Sequence, residues 1–153
     1  MLNYYCPSNE NLSWIESRGF YLFYTIFLVT YHLILLSLPF TFFTTQMVWT
    51  ITNISHNLIH LYFLHIIKGV PWISRMDDGN KKETHWEQLD GGVQWTRQRK
   101  ILTAIPIILF LLTCLYTQNS ESHFMANFIS LIVVTLPKLP MFHHVRLFNI
   151  NKY

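Results

Sequence analysis

Apolar positions gather into four long runs separated by polar stretches. The first run is Phe20 to about Phe43, uncharged and rich in Leu, Phe, Tyr and Ile. The second is Val48 to Ile67, also uncharged but with polar residues inside it. The third is Ile101 to Thr117, and the fourth runs from about His123 to Leu136. A helix of roughly 20 apolar residues crosses a hydrocarbon layer, which the first run satisfies with length to spare. The last two are shorter. A 16-residue helix covers roughly 24 Å, against about 27 Å for a thin bilayer. They cross only with local thinning or with flanking residues such as Met141 and Phe142. Pro137 and Pro140 predict a stop after the fourth run, and Pro106 predicts a kink in the third. The pattern therefore predicts an all-α integral membrane protein with four transmembrane helices. It forms a single domain over residues 1–153, with spans at about 20–43, 48–67, 101–117 and 123–142 and a loop at 68–100.

Composition supports this. Charged residues make up 12% of the 153 residues, while 51% are hydrophobic and 16% aromatic. Soluble domains carry about 25% charge, and disordered chains are polar and poor in aromatics. A net charge of +3, thinly spread, argues against a nucleic-acid partner. Cys6 in a polar head and Cys114 in an apolar run do not suggest a disulfide framework. Residues 1–18 lack the apolar core and cleavage site of a signal peptide. Residue 2 is Leu, so the myristoylation pattern is absent, and no prenylation box closes the chain.

Placing the charges orients the chain. All eleven Lys and Arg lie at Arg18, between Lys68 and Lys100, or at Lys138, Arg146 and Lys152. The connections around Thr44–Gln46 and Gln118–Ser122 hold no basic residue and one acid, Glu121. This positive-inside bias puts both termini and the 68–100 loop in the cytosol and requires an even number of spans. Within that loop Thr84-His85-Trp86-Glu87 reads as a capping box starting a short helix, which Gly91-Gly92 would end. Trp86 and Trp95 are expected at the headgroup level. The acids Asp77, Asp78, Glu83, Glu87 and Asp90 are interleaved with Lys and Arg, which reads as a solvated face.

The second run carries the residues that bear on chemistry. Trp49, Asn53, His56 and His60 follow at spacings of four, three and four, so they share a helix face. Such side chains face a bundle interior, a cavity or a partner. Interhelical hydrogen bonding is the plainer account of them. The rival is metal binding, because His56 and His60 form an HxxxH. Position 57 is Asn, so the zinc-protease general base is missing. Membrane oxygenases and desaturases use HxxxH with several further histidine boxes. Here the adjacent pair His143-His144 lacks a preceding His, and His32, His65, His85 and His123 are isolated. No acid lies within a span for a proton or cation path, and no phosphate loop or GxSxG elbow is present. These readings favour a binding or regulatory role without catalytic residues, metal or cofactor.

Several segments together resemble the ORMDL (Orm) family. They are Ser17-Arg18-Gly19, Leu38-Pro39-Phe40, Val48-Trp49-Thr50 with Asn53 and His56-Asn57, and Phe63-Leu64-His65 with Lys68-Gly69. To these are added Thr84-His85-Trp86-Glu87-Gln88, Gly92-Val93-Gln94, Arg99-Lys100, Pro137-Lys138-Leu139-Pro140 and Ile150-Asn151-Lys152-Tyr153. The resemblance runs from about Asn9 to the end. It implies a multi-pass endoplasmic-reticulum protein with four spans and both termini cytosolic. It also implies a non-catalytic regulatory subunit that negatively regulates serine palmitoyltransferase in response to ceramide, and so controls sphingolipid synthesis. The implied partners are the subunits of that complex, ceramide and membrane lipid. The implied ceramide-binding residues are Asn11, Phe63 and His85. The chain departs from the family pattern at Asn9-Glu10-Asn11, where Glu10 replaces a Pro. It departs also at Ser13, at Gly91, in its Met1–Ser8 head and in a longer first connection, which marks a divergent paralogue. The alternatives are a histidine-box oxygenase and a scaffold subunit that does not sense ceramide.

Overall fold

The computed structural model describes residues 12–39, 41, 43–68, 83–118 and 120–145. Four long helices account for most of them: α2 (Phe20–Ser37), α3 (Thr45–Leu61), α5 (Arg97–Tyr116) and α6 (Glu121–Thr135). Two short helices accompany them, α1 (Ser13–Glu16) before α2 and α4 (His85–Gln88) between α3 and α5. No strand occurs among the described residues, and the extended contact is a single antiparallel bridge between Lys68 and Thr84.

Local chemistry sets the helix boundaries, and several differ from those expected. α2 stops at Ser37 rather than running to Phe43, because Leu38 precedes Pro39 and is extended (φ −69°, ψ 126°). α3 begins at Thr45, where the Thr44 hydroxyl accepts from Met47 N–H at 3.2 Å. A single π turn, Tyr62–Ile66, continues it. α5 starts four residues before Ile101, because Thr96 caps Arg99 N–H and draws the basic turn into the helix. It continues unbroken through the buried Pro106. α6 ends at Thr135, and Pro137 and Pro140 convert the remainder to two 3₁₀ turns, Leu136–Lys138 and Pro140–Phe142.

α3 is the central helix. It packs against α2, α5 and α6, and α5 also packs on α6. The buried stripe of α3 is polar: Thr50, Thr52, Asn53, His56, Asn57 and His60 all lie inside. α2 is the reverse, an apolar helix with no buried residue. α2 and α5 are each apolar and long enough to cross a membrane. Without water, helices gain little by hiding apolar surface from one another, so polar side chains supply much of the contact. That logic explains a buried polar helix surrounded by apolar ones.

The second core, at the end that carries both short helices, is built from apolar side chains. Leu12 and Ile15 meet Leu64, Trp86, Leu89 and Leu102 there, with Phe20 against them. α4 is ordered by the capping box expected from its sequence. The Glu87 carboxylate accepts from Thr84 N–H at 2.8 Å, while the Thr84 hydroxyl accepts from Glu87 N–H at 3.4 Å. The chain then reverses through left-handed backbone at Asp90, Gly91 and Gly92 (φ 53°, 62° and 83°). Gly tolerates this conformation without the Cβ clash.

Two expectations for this region are corrected. Trp86 is 3% exposed and belongs to the core, whereas Trp95 is 76% exposed. Glu87 is buried rather than solvated, its carboxylate accepting from both the backbone N–H and the hydroxyl of Thr84, which is itself buried.

Candidate functional site

The polar face of α3 is used chiefly in helix contacts. Asn53 Nδ2 donates to Asn127 Oδ1 at 2.7 Å, and Asn127 Nδ2 donates to Thr50 Oγ1 at 3.1 Å. Thr50 also hydrogen-bonds His123 Nδ1 at 2.9 Å, and Asn57 Nδ2 donates to Ser130 Oγ at 2.9 Å. These bonds join α3 to α6. On the α2 side His32 Nδ1 meets Thr52 Oγ1 at 2.9 Å, and Tyr24 hydrogen-bonds His56 Nε2. Trp49 stacks flat on Tyr116, with ring centroids 4.3 Å apart. Asn53, His56 and His60 thus share an inward face as their spacing predicts, and interhelical bonding describes it.

The HxxxH pair is engaged in the same way. His56 has Tyr24 at Nε2 and Asn57 Oδ1 at 3.1 Å from Nδ1, and His60 Nδ1 lies 3.2 Å from Lys138 Nζ. Among the described residues no group of three or more His, Cys, Asp or Glu is placed to hold a metal ion.

An apolar cavity of about 310 Å³ opens beside this face. Trp14 and Ile15 of α1, Tyr24 and Phe27 of α2, Ile59 and His60 of α3, Phe63 of the π turn and Leu102 of α5 line it. Its polar residues turn their heteroatoms away. Tyr24 and His56 bond each other, and the Ser55 hydroxyl donates to Ile51 O at 2.6 Å. The wall therefore offers carbon, which suits a hydrocarbon chain.

The residues expected at a ceramide site fall in different places. Phe63 is 45% exposed and stands in the cavity wall. His85 is buried at the first position of α4, next to Trp86, whose ring lies 5.5 Å from that of His65. Both belong to the end of the bundle where α1, α4 and the π turn converge. Asn11 lies outside the described residues, immediately before the buried Leu12.

Two basic residues that the charge pattern reads as cytosolic surface are buried. Arg99, 3% exposed, reaches back to α4: Nη2 donates to the carbonyls of Trp86 (2.8 Å), Glu87 (3.4 Å) and Leu89 (3.1 Å), and Nη1 to Gln94 Oε1 (2.9 Å). Its guanidinium also lies 5.0 Å from the Trp86 ring centroid. Lys138, 5% exposed, donates to Leu102 O at 2.9 Å and lies 5.8 Å from the same ring. Neither was legible, because a Lys or Arg beside an apolar run has the same sequence signature whether it faces water or turns inward. Past the last turn, burial and the charges of His144 and Arg99 hold His143 below the ordinary imidazole value. His144 Nδ1 lies 3.6 Å from Glu87 Oε1.

Among the described residues the protein is all-helical, with two helices apolar and long enough to cross a membrane packed beside a polar central helix and an apolar cavity at one end. Comparison with known proteins then specifies the family. A family model described as "ORMDL family" matches residues 9–146. The chain is 60% identical over 146 residues to "ORM1-like protein" of Drosophila melanogaster, covering 95% of this chain and 94% of that one. It is 48% identical over 145 residues to "ORM1-like protein 2" of Bos taurus and 45% identical over 145 residues to "ORM1-like protein 3" of Homo sapiens, at the same coverage. The chain belongs to the ORMDL family.

Proposed function

We propose that this protein is a non-catalytic regulatory subunit of serine palmitoyltransferase that restrains the enzyme when ceramide is abundant. It does so in the endoplasmic-reticulum membrane, with four spans and both termini in the cytosol. The observation that carries the reading is family membership over nearly the whole chain. The structure supplies a compatible feature. Phe63 lines a carbon-walled cavity directly beside α1, the helix that follows Asn11.

The mechanism needs no catalysis. One hydrocarbon chain of ceramide lies against Phe63 in the cavity, and its amide and hydroxyls are met by Asn11, whose side chain both donates and accepts. His85 holds α4 against the same end. The occupied state keeps the head over the substrate path of the synthase. Only a modest preference is required, since about 1.4 kcal/mol of differential affinity changes a two-state ratio tenfold.

The test is copurification with the synthase followed by a ceramide dose response of the reconstituted complex. Inhibition that deepens with ceramide and is lost with Asn11→Ala is the expected result. Copurification with no ceramide response identifies a scaffold instead, and failure to associate removes the synthase altogether.

A further inference from the structure

Trp95 is the most exposed large apolar side chain among the described residues, at 76%, and its indole makes no hydrogen bond or ring contact with them. The backbone that carries it is nevertheless held in place, because its neighbours on either side are tied inward. Gln94 donates from Nε2 to Gly92 O at 2.9 Å and accepts from Arg99 Nη1 at 2.9 Å. The Thr96 hydroxyl donates to Asp90 and accepts from Arg99 N–H at 3.4 Å. Val93, Trp95 and Arg97 are left on the exposed side of this short extended segment. Side chains presented on a fixed backbone lose little freedom when something covers them.

Their place in the fold indicates what covers them. α5, long and apolar enough to cross a membrane, begins at Arg97. At 1.5 Å per residue Arg97 stands about 6 Å above Ile101, where the apolar run starts. The headgroup layer on each side of a bilayer is about 5–8 Å deep. Arg97 and Lys100 also share one stripe of α5 with the exposed Ile108, Leu111 and Leu115. The two cations therefore crown the side of α5 that faces lipid rather than the side that packs on α3 and α6. Neither makes an ion pair among the described residues, and the acid of this segment, Asp90, is engaged by Thr96. The Tyr21 hydroxyl donates to Gln98, which sets the starts of α2 and α5 side by side and brings the exposed Arg18 to the same end. Indole rings favour the headgroup layer, and cations beside them favour lipids of negative charge.

We propose that Val93, Trp95, Arg97 and Lys100 form a docking site for anionic glycerophospholipid headgroups in the leaflet at this end of the bundle. The indole enters the headgroup layer, and the two cations receive the phosphate and carboxylate oxygens of a lipid such as phosphatidylserine. The site rests on α5 crossing the membrane and is independent of ceramide and of the synthase.

The test uses the full-length chain in non-ionic detergent with equal amounts of dioleoyl phosphatidylserine and dioleoyl phosphatidylcholine, and native mass spectrometry to count what is retained. Phosphatidylserine is expected to be retained about fivefold or more over phosphatidylcholine. The double variant Arg97→Gln with Lys100→Gln is expected to bring the two lipids to parity, while Lys81→Gln with Lys82→Gln, an equal loss of charge, leaves the preference intact. Parity in the unaltered chain overturns the proposal and depends on no variant folding. A preference that survives the first pair, or falls equally with the second, overturns it as well. In nanodiscs of the same lipids, Trp95 emission, taken as the difference from Trp95→Tyr, should be quenched by a phosphatidylcholine brominated near its glycerol. An indole open to aqueous acrylamide and untouched by the brominated lipid faces water, as a surface for a protein partner would, and that result also overturns the proposal.

Discussion

Replacing Arg99 with Met is the sharpest test of how the α4 segment is held. The side chain crosses from the first turn of α5 to three carbonyls, those of Trp86 and Glu87 in α4 and of Leu89 just past its end. Two of those bonds, to Trp86 O at 2.8 Å and Leu89 O at 3.1 Å, have good length, and the third at 3.4 Å is weak. Met keeps the apolar stem and removes the donors. Each buried carbonyl left without a partner costs about 1–3 kcal/mol, so two cost about 2–6 kcal/mol. The lost guanidinium over Trp86 adds about 1 kcal/mol. Gln94 is half-buried and turns to water at little cost. The sum, about 3–5 kcal/mol after partial relaxation, falls on the α4 segment rather than on the whole bundle. In hydrogen–deuterium exchange this is a rise of about a hundredfold or more for amides of Thr84–Gly92, with α6 amides unchanged. Arg99→Lys should be intermediate, since one ammonium cannot span the carbonyls that a guanidinium fork reaches. If exchange over Thr84–Gly92 rises less than fivefold in Arg99→Met, those carbonyls have other donors and the anchoring account fails.

Three further outcomes follow from the same geometry. Asn53→Leu and Asn127→Leu should each lower resistance to SDS unfolding by about 1 kcal/mol, and the double variant should fall short of their sum, because one bond is lost in both; strict additivity would place the two amides in separate networks. Glu87→Ala should destabilise α4 by about 1–2 kcal/mol through loss of the capping box, read as faster amide exchange at Thr84 and Glu87, with Thr84→Ala giving a similar change. A glycosylation acceptor inserted at Gln118–Ser122 should be modified in microsomes and one inserted in the 68–82 segment should not; modification at both sites would refute the four-span orientation.

Sequence periodicity made the four helices, the shared face of Asn53, His56 and His60, and the α4 capping box legible, because each depends on spacing of three or four residues and nothing distant. Lys138, Arg99, Glu87 and Trp86 were misplaced for the opposite reason. Charge near an apolar run is read as surface, yet their burial depends on partners 78, 13 and 12 positions away for Lys138–His60, Arg99–Trp86 and Arg99–Glu87. No local pattern carries that information. The cavity was likewise invisible. It exists because α1 turns back on Leu64 and Leu102, and because polar residues in its wall satisfy one another instead of facing inward.

The two histidines of α3 play unequal parts in helix packing. His56 and His60 occupy successive turns of one helix face, their rings 5.3 Å apart, yet they differ in what their second nitrogen meets. His56 is saturated by Tyr24 and Asn57, so it shows carbon to the cavity and contributes to adhesion between α2 and α3. His60 has one nitrogen on Lys138 and one with no hydrogen-bond partner among the described residues. His56→Leu should therefore weaken the bundle by about 1 kcal/mol or more in SDS unfolding, because it removes the Tyr24 bond that joins α2 to α3. His60→Leu should weaken it as well, because it takes one of two hydrogen-bond acceptors from the buried Lys138 ammonium, a loss of about 1–3 kcal/mol. The double variant His60→Leu with Lys138→Met should recover part of that loss, since the ammonium that needed the acceptor is gone. If His60→Leu leaves stability unchanged, or the second substitution recovers nothing, His60 does not hold Lys138 in place and the account of the α3 face is wrong.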